Sequence, residues 1–418
     1  MKEELLHYIW QQKVLLNKPL QTTTGKPIEL IKTGTLNTDA GPDFFNARIK
    51  IDDTVWAGNV EIHLKSSDWI KHKHHTDKAY NNVILHVVFE HDAELNIPTL
   101  ELKNYISVSL LSAYKTLLQN ATRVPCQNIL SLPDEFKLNQ FLHRLAIERL
   151  EEKCIVLEQQ LHQYQNSWEK LFYVTTAKYF GMQVNAEPFV QLAQNLPASL
   201  LAKHKHNPAQ IDSLIFGVGG FLPVNNPDEY STLLYREFSF LQTKYSLPQL
   251  EKSAWKFAKT RPANFPTIRL AQFSALVFQS VHLFSKMMQA STLTEAKKLL
   301  AVSTSEKLNL NALHHANHIQ KPVMGEQFLT HLIINAIIPI KFLYGKHMLN
   351  ETLCEQALTW LEELESENNT VTKFWKGYGI SAPQALHSQA LIQLHQKYCL
   401  KNQCLTCVIG NHILYKHV

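Results

Sequence analysis

The chain has 418 residues, with 41 Lys+Arg against 36 Asp+Glu for a net charge of +5, and it is 45% hydrophobic and 18% charged. That length exceeds one ordinary domain, and with only 13 Gly and 6 Cys the composition excludes a mainly disordered, collagen-like or disulfide-scaffold chain. The mild basic excess permits a nucleic-acid partner without requiring one, and 21 His raise the question of metal before any motif is read.

In chain order, residues 2–12 place Leu5, Leu6, Ile9 and Trp10 at helical spacing. GKPIELIKTG follows as a strand. DAGPDFFNARIKID turns into a second strand, in which Phe45, Ala47, Ile49 and Ile51 alternate. Residues 54–65, TVWAGNVEIHLK, form a third alternating strand. SDWIKHKHHTDKAYNN reads as a helix with a Ser or Asp start. VILHVVFE, residues 83–90, is a nearly continuous apolar strand suited to a sheet centre.

Beyond residue 130 helical spacing dominates. FKLNQFLHRLAIERLEEKCIVLEQQLHQY keeps its apolar residues in register for many turns, SWEKLFYVTTAKYFG ends at a glycine, and Pro266 fits the first turn of another helix. The expectation is an α+β protein: a small mixed sheet with flanking helices over 1–115, a large mainly α-helical domain over 116–395, and a Cys/His-rich terminal segment over 396–418. The opening twenty residues lack the zones of a secretory leader, and LTHLIINAIIPIKFLYG is interrupted by Asn335, Pro339 and Lys341. A cytoplasmic chain with no membrane partner is therefore expected, its cysteines being thiols or metal ligands.

Several signatures fail. GVGGFL at 217–222 carries Leu222 where a dinucleotide-binding loop needs its third glycine. There is no P-loop, no H-E-x-x-H and no G-x-S-x-G. KTRPANFPTIRLAQ sets Arg261, Asn264 and Arg269 around two prolines before a helix start. That stretch reads either as a phosphate site at a helix N-terminus or as a structural turn.

The most informative stretch is GPDFFNARIKIDDTVWAGNVEIHLKSSDWIKHKHHTDKAY. Glu61, His63 and Lys65 fall at i, i+2 and i+4 of one strand and so project from one face, with Val60, Ile62 and Leu64 on the other. Asp43 stands at the entrance of the preceding strand. One carboxylate from each strand makes a hard-oxygen pocket for Mg²⁺ or Mn²⁺, while His63 or Lys65 would stabilise charge on a phosphoryl oxygen. The alternative is a turn aspartate beside a solvated strand face. On a helix, His72 and His75 share a face while Asp77 is off it. His72, His74 and His75 would complete a metal site, contact phosphate when protonated, or simply be exposed. His86 reads as a core histidine that would support the site from the neighbouring strand.

This spacing resembles the PD-(D/E)XK nuclease superfamily, whose core is similar to the helix, three strands, helix, strand order read here. The resemblance makes Asp43 the first acid and Glu61 the second, and puts the family's lysine on His63, with Lys65 facing the same way one pleat further on. An acid from the first helix, Glu3 or Glu4, would join such a site. It implies metal-dependent phosphodiester hydrolysis. Over nearly its full length the chain also looks like members of a bacterial domain-of-unknown-function family, through GPDFFNARI, WAGNVEIH, DWIKHKHHTDKAYNNVILHVV, RPANFPTIRLA and the terminal C-x4-C-x2-C-x2-G.

At the terminus, Cys399, Cys404, Cys407 and His412 offer four ligands within a short span, suited to tetrahedral Zn²⁺. Cys126 with the three terminal cysteines would instead supply four thiolates for an iron–sulfur cluster, an arrangement similar to iron–sulfur nucleases of the same superfamily. Plain buried thiols are the third reading, and Cys154 and Cys354 are placed in helix cores. Two functional expectations stand side by side. One is a metal-dependent nuclease or nucleic-acid-processing protein. The other is a non-catalytic helical scaffold with a degenerate nuclease-like domain and a structural metal. A zinc-centred site built from His63, His72, His74 or His75 is a third possibility.

Overall fold

A computed structural model describes residues 2–119, 124–225, 227–258, 260–308 and 323–417. It shows a mixed sheet in the N-terminal part and a large helical region after it. Helix α1 (Glu3–Gln12) buries Leu5, Leu6, Ile9 and Trp10 completely, as its spacing predicts. Lys13 ends it in the left-handed conformation, with Val14 N–H donating back to Ile9 O. The helix packs against the sheet, and Trp10 Nε1 donates to Thr33 O at 3.0 Å.

Strands β1 (Leu20–Gln21), β2 (Pro27–Lys32), β3 (Thr35–Leu36), β4 (Phe44–Ile51), β5 (Thr54–Lys65), β6 (Val83–Glu90) and β7 (Thr99–Glu101) form one sheet. Its order is β1-β2-β4-β5-β6-β7, with β3 paired to β4. Pairing is antiparallel as far as β5, then parallel from β5 through β6 to β7. The central β6 is buried from Val83 to Val88, as its unbroken apolar run implies.

Strict alternation expects Phe45 on the buried face of β4. The structure puts Phe44 there instead, fully buried together with Ala47. The register of β4 on β5 shifts between these two residues, and Asn46 takes φ 57°. A bulge of this kind adds one residue and resets which side chains face inward.

The helix expected after β5 is cut short. Helix α2 (Asp68–Lys71) stops at His72, and Lys73 adopts the left-handed φ of 62°. Two 3₁₀ turns follow, His74–Thr76 and Lys78–Tyr80, the second capped by Asp77, whose Oδ1 accepts from Ala79 N–H at 2.9 Å.

The chain divides into two compact units, Met1–Phe141 with Gln393–Val418, and Leu142–Ile392. This differs from the expected partition. Residue 115 falls inside helix α3 (Val108–Gln119), and the terminal segment expected as a separate part over 396–418 is grouped with the sheet unit. The physical ties are direct. The helix Val408–Tyr415 packs against α3, Ser109 Oγ donates to His417 O at 2.8 Å, and Lys416 Nζ donates to Ser131 Oγ at 2.7 Å.

The second unit is helical among the described residues. After α4 (Glu135–Gln163) and α5 (Trp168–Phe180) come α6 (Ala186–Asn195), α7 (Ala198–Lys203), α8 (Pro208–Val218), α9 (Glu229–Tyr245) and α10 (Pro266–Gln279), which starts at the expected proline. The apolar stretch expected to be broken at Asn335, Pro339 and Lys341 is helical from Glu326 to His347, with a π turn over Ile333–Ile337. Pro339 follows that turn at the start of a new α segment, where its missing N–H is tolerated. Lys341 is buried and donates to Met288 O and Ala290 O at 3.0 and 2.9 Å. By length and composition this helix would cross a membrane, but 78% of its apolar window is buried within the protein, as in a core helix.

Candidate functional site

The pairing of Phe44 with Val60 sets Asp43 and Glu61 side by side. They are interlocked. Asp43 N–H donates to Glu61 Oε2 at 3.1 Å, and Ile62 N–H donates to Asp43 Oδ2 at 2.8 Å. His7 Nε2, from α1, lies 3.3 Å from the same Asp43 oxygen. Glu61 is 5% exposed. Burial, and then the neighbouring Asp43 charge, push its carboxyl up to about 8, against the opposing Asp43 N–H bond; Glu3 adds a smaller push. At neutral pH Glu61 is therefore mostly protonated. Of the two acids considered in α1, Glu3 is the one this carboxyl feels, and Glu4 pairs with Lys2.

His63 is 2% exposed and uses both ring nitrogens. Its Nδ1 lies 2.9 Å from His86 Nε2, and its Nε2 lies 3.2 Å from His72 Nδ1 and 3.4 Å from Glu61 Oε1. His74 Nε2 is 3.3 Å from the same Glu61 oxygen, and its ring stacks on Tyr80 at 3.8 Å. Trp69 presents its edge to His74. Burial, with His74 and His72 beside it, lowers His63 to about 4; burial chiefly, then His63, lowers His86 to about 3; burial and then His72 lower His74. The contacts of Glu61 with His63 and His74 are thus between neutral groups at pH 7 and are not ion pairs. Donor atoms of His63, His72 and His74 all lie within 4.8 Å of one another.

The remaining sequence candidates fall elsewhere. Lys65 lies on the expected face but at the exposed strand end, with Nζ 3.8 Å from Asp92 Oδ2. Asp92 also accepts from Ser67 N–H and Oγ. His63, neutral and enclosed, cannot carry the positive charge that a lysine supplies. His75 is exposed, and the break at Lys73 brings His74, not His75, to His63. Sequence reasoning missed His7 and Tyr80. The available signal for His7 was a polar residue among the buried positions of α1.

The six cysteines are all thiols. Cys126, Cys399 and Cys407 are buried and Cys404 is half-buried. Cys399 feels Cys407, Cys126 and Cys404 as neighbouring charges, and burial is the larger cause that holds its thiol well above the usual range. Burial and the same neighbours push Cys404 up to about 12, and burial and Cys407 do so for Cys126. His412 looks elsewhere: its charged neighbours are Lys416, Lys137 and Asp134. Cys407 is the N-cap of the terminal helix, and its N–H donates to Cys404 O at 3.3 Å.

In the second unit the segment weighed as a phosphate site turns inward. Arg269 is buried, donates to Gln272 Oε1 at 2.6 Å and to Asn264 Oδ1, and lies 3.3 Å over the Phe328 ring. Cys154 is buried and Cys354 half-buried; their thiols point at backbone oxygens of Pro339 and Phe342. A family model described as "Protein of unknown function (DUF2851)" matches residues 3–370. No curated protein and no solved structure matches the chain.

Proposed function

The chain belongs to the DUF2851 family of proteins of unknown function, and from that premise we propose that its N-terminal sheet is a metal-dependent phosphodiester hydrolase acting on nucleic acid. The observation that carries this reading is the interlocked Asp43–Glu61 pair on neighbouring strands, beside a tier of neutral imidazoles. The sheet order supports it, because antiparallel strands passing to a parallel one at β5 match the arrangement of the nuclease fold that the sequence resembles.

The donors around Glu61 are as much imidazole as carboxylate, which suits a divalent ion softer than Mg²⁺ as well as Mn²⁺. A cation bound there supplies Lewis-acid polarisation of a phosphoryl oxygen. The chain's own groups divide the remaining work. Glu61 would give up its proton and supply a carboxylate to that cation. Asp43 is a positioning residue: its side-chain Oδ2 accepts from Ile62 N–H and faces His7 Nε2, which fixes the turn whose Asp43 N–H holds Glu61 Oε2. Tyr80 and Trp69 wall the histidines.

A second metal accompanies this reading. Cys126, Cys399, Cys404 and Cys407 hold a structural zinc ion or iron–sulfur cluster, with His412 outside the ligand set. Support comes from the electrostatic influence of Cys407, Cys126 and Cys404 on Cys399 and from the burial of Cys126, Cys399 and Cys407.

The test is incubation of the purified full chain with Mg²⁺, Mn²⁺ or Zn²⁺ and single- and double-stranded DNA and RNA. Cleavage is expected to stop on chelation and to fall about 100-fold or more in Asp43→Ala and Glu61→Ala. No cleavage with any cation, or equal cleavage in both variants, refutes the enzyme and favours a scaffold.

A further inference from the structure

We propose that His63, His72 and His74, together with Glu61, form a binding site for one transition-metal ion of the zinc class. The site shares residues with the proposed hydrolase but does not depend on phosphodiester cleavage. Its donor spacings carry it. His63 Nε2 is 3.2 Å from His72 Nδ1 and 3.4 Å from Glu61 Oε1, which is 3.3 Å from His74 Nε2. Ligands about 2.0–2.1 Å from a tetrahedral ion lie roughly 3.3–3.4 Å from each other. Three of the six spacings therefore have the edge length of such a coordination shell, and the donor atoms of His63, His72 and His74 all lie within 4.8 Å of one another.

If His72 Nδ1–H donates to His63 Nε2, then His63 must donate from Nδ1 to His86 Nε2. The remaining proton then sits on His86 Nδ1, which has no partner in a residue 0% exposed. A cation at the clustered nitrogens takes up the lone pairs of His63 Nε2, His72 Nδ1 and His74 Nε2 and fixes that same tautomer on His63 and His86. His86 then keeps the role that a supporting partner has behind a metal-bound imidazole, fixing ring orientation and tautomer.

Local backbone explains why these histidines meet. A continuous helix would align His72 with His75. Lys73 in the left-handed conformation turns the chain, so that His72 and His74, two residues apart, both reach His63 on the rigid strand β5. Tyr80 stacks on one face of His74 and Trp69 packs edge-on against it, so both hold the His74 ring in place, while His72 is exposed and leaves the site open on that side. Three imidazoles and one carboxylate select zinc-like ions over Mg²⁺ or Ca²⁺, which prefer all-oxygen shells.

The experiment is titration of metal-stripped full-length protein with Co²⁺, a spectroscopically visible substitute for zinc, with circular dichroism confirming the fold of each variant. Wild type is expected to take up one Co²⁺ with the visible spectrum of nitrogen and oxygen ligands, distinct from the charge-transfer absorption of any cysteine-bound ion. Zn²⁺ is expected to displace it and tenfold excess Mg²⁺ to leave it. His72→Ala and His74→Ala should each weaken binding at least ~10-fold, while His75→Ala leaves it unchanged. An identical nitrogen–oxygen spectrum in the His72→Ala/His74→Ala double variant, or Co²⁺ uptake by thiolates alone, overturns the proposal. Normal Co²⁺ binding without any nucleic-acid cleavage defeats only the hydrolase. Full Mg²⁺-dependent cleavage in the double variant defeats only this site.

Discussion

Glu61 carries a heavy electrostatic load for a buried carboxyl, since among the described residues no cation faces it and Asp43 stands beside it. Its carboxyl ordinarily titrates at 4.5, and in the folded protein it titrates at about 8. The folded state therefore holds a proton that the unfolded state releases, so stability is complete below 4.5 and is lost as pH rises through that window to 8. At pH 7 the cost is about 3 kcal/mol. In metal-free protein Glu61→Gln, an isostere of the neutral acid, is expected to raise the melting temperature at pH 8 and to flatten its decline between pH 6 and 9; thermal melts across that range check it. His63 acts in the opposite sense, since its depressed value removes stability as pH falls from 6.5 to about 4. Lys65→Met, by contrast, should change cleavage less than about twofold, because its ammonium lies beside Asp92 and an exposed ion pair contributes little; steady-state rates decide. At this scale much was legible. Alternation on one strand brought out Glu61 and His63. His74 was not separable from His75, because the choice rests on the φ of Lys73, which no side-chain pattern encodes.

Among the elements, α8 and α9 show what the glycines of 217–220 are for. A Cβ on Gly217 would lie 2.1 Å from the Phe238 ring, so the glycine lets the two helices close on each other. Gly220 has φ 80° and sits against Leu250 O, so it serves the turn. Gly217→Ala should cost about 1–3 kcal/mol through overpacking, read by denaturant unfolding. The same glycine pair on a phosphate-binding loop would instead have been open to a ligand. At the other end of the chain, Cys126→Ser is expected to lose the terminal metal, and His412→Ala to retain it; elemental analysis of the two variants separates a four-thiolate set from one with three thiolates and a histidine. The terminal trio was legible from its spacing alone. Spacing did not single out its fourth partner: Cys126 is far away in sequence, and it entered only through the resemblance to iron–sulfur nucleases and as one alternative to His412. The long helices were readable from their periodicity, whereas the bulge at Asn46 and the shortened α2 depend on single left-handed residues.

For the whole molecule, the sheet unit is discontinuous: residues 393–418 return to complete it. A linear change in composition near residue 115 could not reveal that return, since the pattern before α3 marks where strands end and not where contacts end. A chain ending at residue 392 loses the helix that covers α3 and three of the four clustered cysteines. Limited proteolysis with mass spectrometry should then find residues 1–141 rapidly degraded while a fragment within 142–392 persists; equal resistance of both parts in the truncated chain would contradict this. The discontinuity also imposes a timetable on synthesis. The strands bearing Asp43 and Glu61 leave the ribosome early, but their unit waits for the whole intervening helical unit, roughly 13–50 s at ordinary elongation rates. Throughout that interval the segments bearing the histidines exist without the segment that completes their unit, so an ion bound by them at that stage would arrive before the terminal cysteines are made.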